Sequence, residues 1–199
     1  MQRQNITLTV LILALVLAGC ANIQPQQTNS PEDYRMPTDI SSPAELTQTV
    51  EAEIASRTPP KDCPVTTIAK SDFQAPEPFA PSAPWKGIFW FGSSHLWTAL
   101  NNDGVWYALP LNPDGYTQKI MWWSDSYSLP NEPEPALVVS GHRLDGESPE
   151  LRFYGATNAM GDDIGEAMLT GVEFPSLGCW EVKGKYKKGE ISFVVWIAP

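Results

Sequence analysis

The chain has 199 residues, with 13 Lys+Arg set against 23 Asp+Glu and a formal net charge of −10. That balance argues against a nucleic-acid partner, because phosphate backbones are bound by Lys and Arg gathered on one face. The basic cluster present, Lys183, Lys185, Lys187 and Lys188, reads as the solvated rim of a terminal hairpin. The length supports one domain with a true core and leaves little room for a second.

The N-terminus is the most directive stretch. Arg3 precedes an uncharged apolar run from Ile6 to Leu17, followed by Leu17-Ala18-Gly19-Cys20. A positive start and a run too short for a span of about 20 residues indicate an export signal, and the small residues before Cys20 supply a cleavage site. This segment resembles the bacterial lipobox. The resemblance implies a signal peptide over 1–19, Cys20 as the palmitate-bearing new N-terminus, and a protein lipid-anchored outside the cytoplasm on the cell membrane or outer membrane. Removing Arg3 with the signal leaves 12 basic and 23 acidic residues, a net charge of −11. With Cys20 assigned to lipid, Cys63 and Cys179 remain, an even number in a chain that leaves the reducing cytosol. They are expected to form a disulfide, with buried free thiols as the alternative.

From residue 20 to 62 the chain is acidic and rich in Pro, Gln, Thr and Ser, with few aromatics, and reads as a mostly disordered tether. One helix is expected within it, near 43–57. Ser42 is a candidate N-cap, Pro43 fits the first helical position and Glu45 completes a capping box. Leu46, Val50 and Ile54 then form a narrow apolar stripe. Residues 63–84 form a Pro-rich arm expected to pack on the domain, with Pro76 to Pro84 extended.

From Trp85 the composition turns to aromatic and β-branched residues punctuated by turn formers. Strands are predicted over 86–91, 95–100, 105–109, 118–124, 136–142, 150–154, 166–174, 178–186 and 190–197. Short strands at this spacing, without a long helical period, predict an all-β sandwich over 85–199, with a small closed barrel as the alternative. In the last hairpin Trp180, Val182, Gly184 and Tyr186 share one face, and Cys179, Glu181, Lys183 and Lys185 the other. A Cys63–Cys179 bond would therefore pin the arm on the outer surface of a sheet.

The run Pro175-Ser176-Leu177-Gly178-Cys179-Trp180-Glu181-Val182 is similar to the beginning of a late strand in immunoglobulin-like domains of bacterial surface proteins. With Cys63-Pro64-Val65-Thr66, Trp97-Thr98-Ala99-Leu100, Asp103-Gly104-Val105-Trp106, Met121-Trp122-Trp123 and Ser192 to Trp196, it resembles a family of secreted bacterial lipoproteins carrying an immunoglobulin-like domain. The resemblance spans roughly Cys63 to Pro199 and implies fold boundaries; it implies no activity.

Candidate site residues are chiefly aromatic. In Ile88-Phe89-Trp90-Phe91 and Met121-Trp122-Trp123, neighbouring rings must face opposite sides of a strand. Trp90, Trp97, Trp122 and Trp123 are thus candidates for a stacking or docking face, unless the arm from Phe73 to Pro84 covers them. Catalytic signals are thin: His95 and His142 are the two histidines, and Ser94 or Ser140 with His142 and Asp145 make a triad only by selection. No Gly-x-Ser-x-Gly elbow is present. Asp162, Asp163 and Glu166 lack the calcium-loop spacing, and Met121, Met160 and Met168 show no copper-site clustering. The expectation is a non-catalytic binding or accessory module at the cell envelope, without cofactor or metal, contacting cell-wall glycan or an envelope protein. A small extracytoplasmic hydrolase is the alternative.

Overall fold

The computed structural model describes residues 51–52, 54–79 and 82–199. The lipobox, Cys20 and most of the tether lie outside the described residues, as do Leu46 and Val50 of the expected stripe. Residues 51–52 and 54–57 are helical. Ile54 is exposed, so this end of the stripe is not docked. The contact with the domain is instead polar: the Arg57 guanidinium stacks 4.2 Å from the centre of the Tyr107 ring.

Ten strands form the expected sandwich: β1 (Ile88–Ser93), β2 (Leu96–Asn101), β3 (Val105–Trp106), β4 (Leu111–Asn112), β5 (Gly115–Trp123), β6 (Val138–Arg143), β7 (Arg152–Gly161), β8 (Gly165–Phe174), β9 (Gly178–Tyr186) and β10 (Gly189–Ile197). One sheet runs β1-β2-β5-β8-β7, with β4 folded back on β5; the other runs β3-β10-β9-β6. Every pairing is antiparallel except β3 on β10. The region predicted as a strand over 105–109 shortens to two residues, and Ala108 takes a positive φ of 53° as the chain leaves that sheet. Strand β7 runs to Gly161, well beyond the predicted end at Tyr154. Ala156-Thr157-Asn158-Ala159 has weak strand preference, and the register shift between Phe153 and Ala156 breaks the alternation that would reveal it. Pairing with β8 imposes the conformation.

Alternation assigns the inner faces. Phe89, Leu96, Leu100, Ile120, Trp122, Met168, Val172 and Phe174 from one sheet meet Trp180, Val182, Tyr186, Ile191, Phe193, Val195 and Ile197 from the other in one buried cluster. At Gly184 the β9 backbone leaves space for the Trp122 indole, where an added Cβ would collide with the ring. Trp122 in turn donates Nε1–H to Thr170 Oγ1 at 3.1 Å, and the Thr170 hydroxyl donates to the Ile120 carbonyl at 3.2 Å. Both polar groups are buried and satisfied.

Cys63 and Cys179 are disulfide-bonded, with Cα atoms 5.7 Å apart. Trp180 faces the core and Cys179 faces outward, so the bond lies on the outer side of the β10-β9 sheet, as the alternation requires. Cys179 is fully buried there because the arm covers it. Thr66 then occupies the open side of β10: its N–H donates to the Val194 carbonyl at 2.8 Å and its Oγ1 accepts from Val194 N–H at 2.9 Å. This satisfies both backbone groups of an otherwise unpaired stretch of strand. A 3-10 turn at Ile68–Lys70 follows. The Ser71 hydroxyl next reaches the Trp90 carbonyl at 3.5 Å, so the arm passes from the outer side of one sheet to the outer side of the other.

The lysine cluster is an ion-paired rim. Lys183 faces Glu181 and Lys185 faces Glu190, while Lys187 Nζ lies 2.8 Å from Glu132.

Candidate functional site

On its outer face the β1-β2-β5-β8 sheet carries a second apolar layer. Trp90, Trp97, Trp123, Ile164 and Ala167 are buried there with Ala75, and Phe73, Phe79, Ala83 and Trp85 of the arm pack over them. Trp90 and Trp123 meet edge to face at 4.9 Å, and Phe79 stands edge-on to Trp90 at 6.4 Å and to Trp97 at 5.4 Å. These are favoured geometries for aromatic pairs. The segment predicted as extended turns at this point: Phe79 N–H donates to the Pro76 carbonyl at 3.0 Å, and the turn presents the Phe79 ring to the tryptophans.

This arrangement is the covered alternative of the two that the sequence left open, and no exposed stacking face forms from these rings. Trp90, Trp97, Trp122 and Trp123 are 3%, 1%, 0% and 0% exposed. Trp122 belongs to the inter-sheet core, and the arm covers the other three. Backbone alternation separates Trp122 from Trp123, and apolar burial then draws the Pro-rich segment onto the outward rings.

Where the arm does not close completely, a cavity of about 710 Å³ remains. Pro76 to Phe79, Ser82 and Pro84 of the arm form one wall, with Trp90 and Trp97 at the base; Ser124, Asp125 and Tyr127 after β5 and Asp162, Asp163, Gly165 and Glu166 around the β7–β8 turn complete it. Its size is that of a small-molecule site. The rim carries five carboxylates, Glu77, Asp125, Asp162, Asp163 and Glu166. Asp125 lies 2.8 Å from His95 Nδ1, and Glu166 accepts the Leu129 N–H at 2.8 Å. Among the described residues no Lys or Arg pairs with any of the five.

Trp97 Nε1 and the Tyr127 hydroxyl belong to residues that border the cavity but are themselves sealed from it, and neither has a hydrogen-bond partner among the described residues. Burial pushes the Tyr127 phenol above its usual range, and the nearby Glu166 and Glu132 carboxylates push it further in the same direction. The phenol therefore stays neutral and keeps its donor proton.

The remaining sequence candidates are dispersed. His142 Nδ1 lies 3.4 Å from Glu181, whereas Asp145 accepts from Arg143 Nε at 2.7 Å. Neither imidazole bonds a hydroxyl among the described residues, so Ser94, Ser140, His142 and Asp145 do not assemble into a triad. Asp162, Asp163 and Glu166 share the rim, but no three His, Cys, Asp or Glu side chains converge to hold a metal among the described residues. Met168 is in the inner core, Met121 flanks the outer layer and Met160 is exposed. Sequence reasoning missed Tyr127, Glu77 and Asp125 as neighbours, since they come from separate segments with no spacing to announce them.

No family model and no curated protein matches the chain. It is similar to the crystal structure of a "putative lipoprotein from Bacillus anthracis", with 13% identity and a TM-score of 0.32, covering 62% of this chain and 87% of that one. No helix among the described residues is long and apolar enough to cross a membrane.

Proposed function

We propose that this protein is a lipid-anchored, extracytoplasmic, non-catalytic binding module whose ligand enters the cavity between the Pro-rich arm and the outer face of the larger sheet. The observation that carries the reading is the cavity itself: a site of small-molecule size with an aromatic base and an acidic rim. The Cys63–Cys179 disulfide supports an oxidising compartment. The lipobox-like segment ending at Cys20 supports the anchor. A hydrolase gains no assembled nucleophile and base from this geometry, and a ring-face platform for sugars gains no exposed indole.

Two measurements test the reading. Cys20→Ala is expected to abolish incorporation of a palmitate analogue and to release the protein from membranes; retained labelling would overturn the anchor. The full chain in detergent is then melted against a panel of cell-wall fragments, polysaccharides and envelope peptides. A bound ligand raises the midpoint through mass action, by about 2.7 kcal/mol of added stability at 100 times its Kd. Phe79→Ala, which opens the arm wall, is expected to remove that shift. No shift with any member would overturn the binding module.

A further inference from the structure

We propose that the outer edge of β7 is an interface between two copies of this chain, each laying its own β7 antiparallel on the other about a two-fold axis at Asn158. Strand edges with bare N–H and C=O groups invite pairing, and folded chains cover, shorten or charge them. The other edges of this sandwich are treated in that way. β3 and Thr66 satisfy β10, Leu151 N–H reaches the Gly141 carbonyl of β6 at 2.9 Å, the Ser71 hydroxyl reaches the Trp90 carbonyl of β1, and β4 has only two residues. β7 has ten residues and is the outermost strand of its sheet. Among the described residues, no backbone hydrogen bond reaches Arg152 to Met160 from any segment other than β8.

The second, independent observation is that this edge is self-complementary in charge. Phe153 to Gly161 contains neither proline nor a charged residue, while Arg152 precedes the stretch and Asp162 and Asp163 follow it. Antiparallel pairing about Asn158 therefore brings Arg152 of each copy to the Asp162–Asp163 turn of the other, where parallel pairing would set like charges together. Arg152 already pairs with Asp114 in its own chain, and its guanidinium has donors left for a second carboxylate. The net charge of −10 opposes self-association wherever carboxylates face one another, and in this stretch they do not. The register shift between Phe153 and Ala156, with Gly155 at φ 99°, bends the strand and limits unbroken pairing to Ala156 through Met160. Within that run Met160, at 72% the most exposed large apolar side chain among the described residues, comes opposite Ala156 of the other copy and is covered. Two-fold symmetry makes each of these contacts twice. The interface is small, so the dimer is of the weak, concentration-dependent kind.

The test is sedimentation of the full chain in detergent over a concentration series, joined to cross-linking of Thr157→Cys with a short bis-maleimide. Thr157 is exposed and sits one position from the axis. A monomer–dimer equilibrium is expected, with a cross-linked dimer of Thr157→Cys well above the level of the unsubstituted chain and of Ser140→Cys, an equally exposed position on β6. Asn158→Lys sets two ammonium groups opposite one another at the axis and is expected to raise the dimer Kd at least tenfold while its urea midpoint shows the fold intact. Asp162→Lys with Asp163→Lys is expected to weaken the dimer in the same way, because both then face Arg152. Mixing that chain with an Arg152→Glu chain, each also carrying Thr157→Cys, is expected to restore cross-linking between the two. A monomer at every concentration would overturn the proposal, as would equal cross-linking through Ser140→Cys. A dimer untouched by Asn158→Lys would place the contact elsewhere, and failure of the mixture to recover would remove the antiparallel charge pairing; either overturns it.

Discussion

Thr170 and Gly184 make the inter-sheet core specific to its largest ring, Trp122. Thr170→Val keeps the side-chain shape but removes the acceptor for Trp122 Nε1–H, which has no water to turn to at zero exposure. The expected loss is about 1–3 kcal/mol, the desolvation cost of a buried donor left unmade. It is read as a lower urea midpoint at unchanged m-value; a neutral result would show that the indole finds another acceptor. Gly184→Ala introduces a methyl where the Trp122 ring already sits. Overpacking of this kind costs about 1–3 kcal/mol or more. A Gly184→Ala, Trp122→Phe double variant is expected to recover part of that loss, and strict additivity would disprove the contact. Alternation in the sequence placed Gly184 on the inner face, but the reason for a glycine there became visible only with the indole that fills the space.

Glu132 ties two connections together. It lies between β5 and β6, accepts from Tyr186 Oη at 2.6 Å and from Ala136 N–H at 2.9 Å, and pairs with Lys187 in the β9–β10 turn. Lys187 also donates to the Ser126 carbonyl at 2.8 Å, anchoring a non-glycine residue at φ 49°. The Lys187 and Tyr186 hydrogen bonds, followed by that from Ala136, lower the Glu132 pKa from 4.5 to about 2. A depressed folded-state pKa means that this stabilisation is full above the ordinary value and is lost as pH falls from 4.5 towards about 2. The stability gap between wild type and Glu132→Gln, measured by urea unfolding, should therefore be widest near neutrality and close over that window. A gap that stays constant with pH would assign the effect to packing. At this scale the hairpins were legible, since turn formers such as Asn112-Pro113-Asp114-Gly115 and Gly161-Asp162-Asp163 separate real strands. The C-terminal half of β7 was not, because its partner strand dictates it.

The whole molecule depends on one covalent tie between arm and sandwich. Cys63 and Cys179 are 116 residues apart, and closing so long a loop is worth up to about 4.7 kcal/mol in the chain-entropy model. Cys63→Ser with Cys179→Ser is expected to cost several kcal/mol in urea unfolding. It should also loosen the arm over Trp90 and Trp97, giving a red shift in tryptophan emission and binding of an apolar dye. Lost stability without either optical change would show that Thr66 and Phe79 hold the arm by themselves. The tie also shapes the candidate site, because one wall of the cavity belongs to the arm.

Period-two alternation, turn residues and cysteine parity are local or countable properties, and from them the sequence by itself determined the all-β sandwich, the inward set of β9 and the Cys63–Cys179 pair. It also holds, as a linear motif, the lipobox-like segment on which the proposed anchor rests. Tertiary structure alone decided which outward rings are covered and which carboxylates meet. Trp90 and Trp123 are equally apolar in sequence whether bare or buried, and their fate depends on where a Pro-rich segment from elsewhere in the chain comes to rest. The rim unites side chains from the arm, the segment after β5 and the β7–β8 turn. Long-range burial brought them together, and no sequence spacing encodes that.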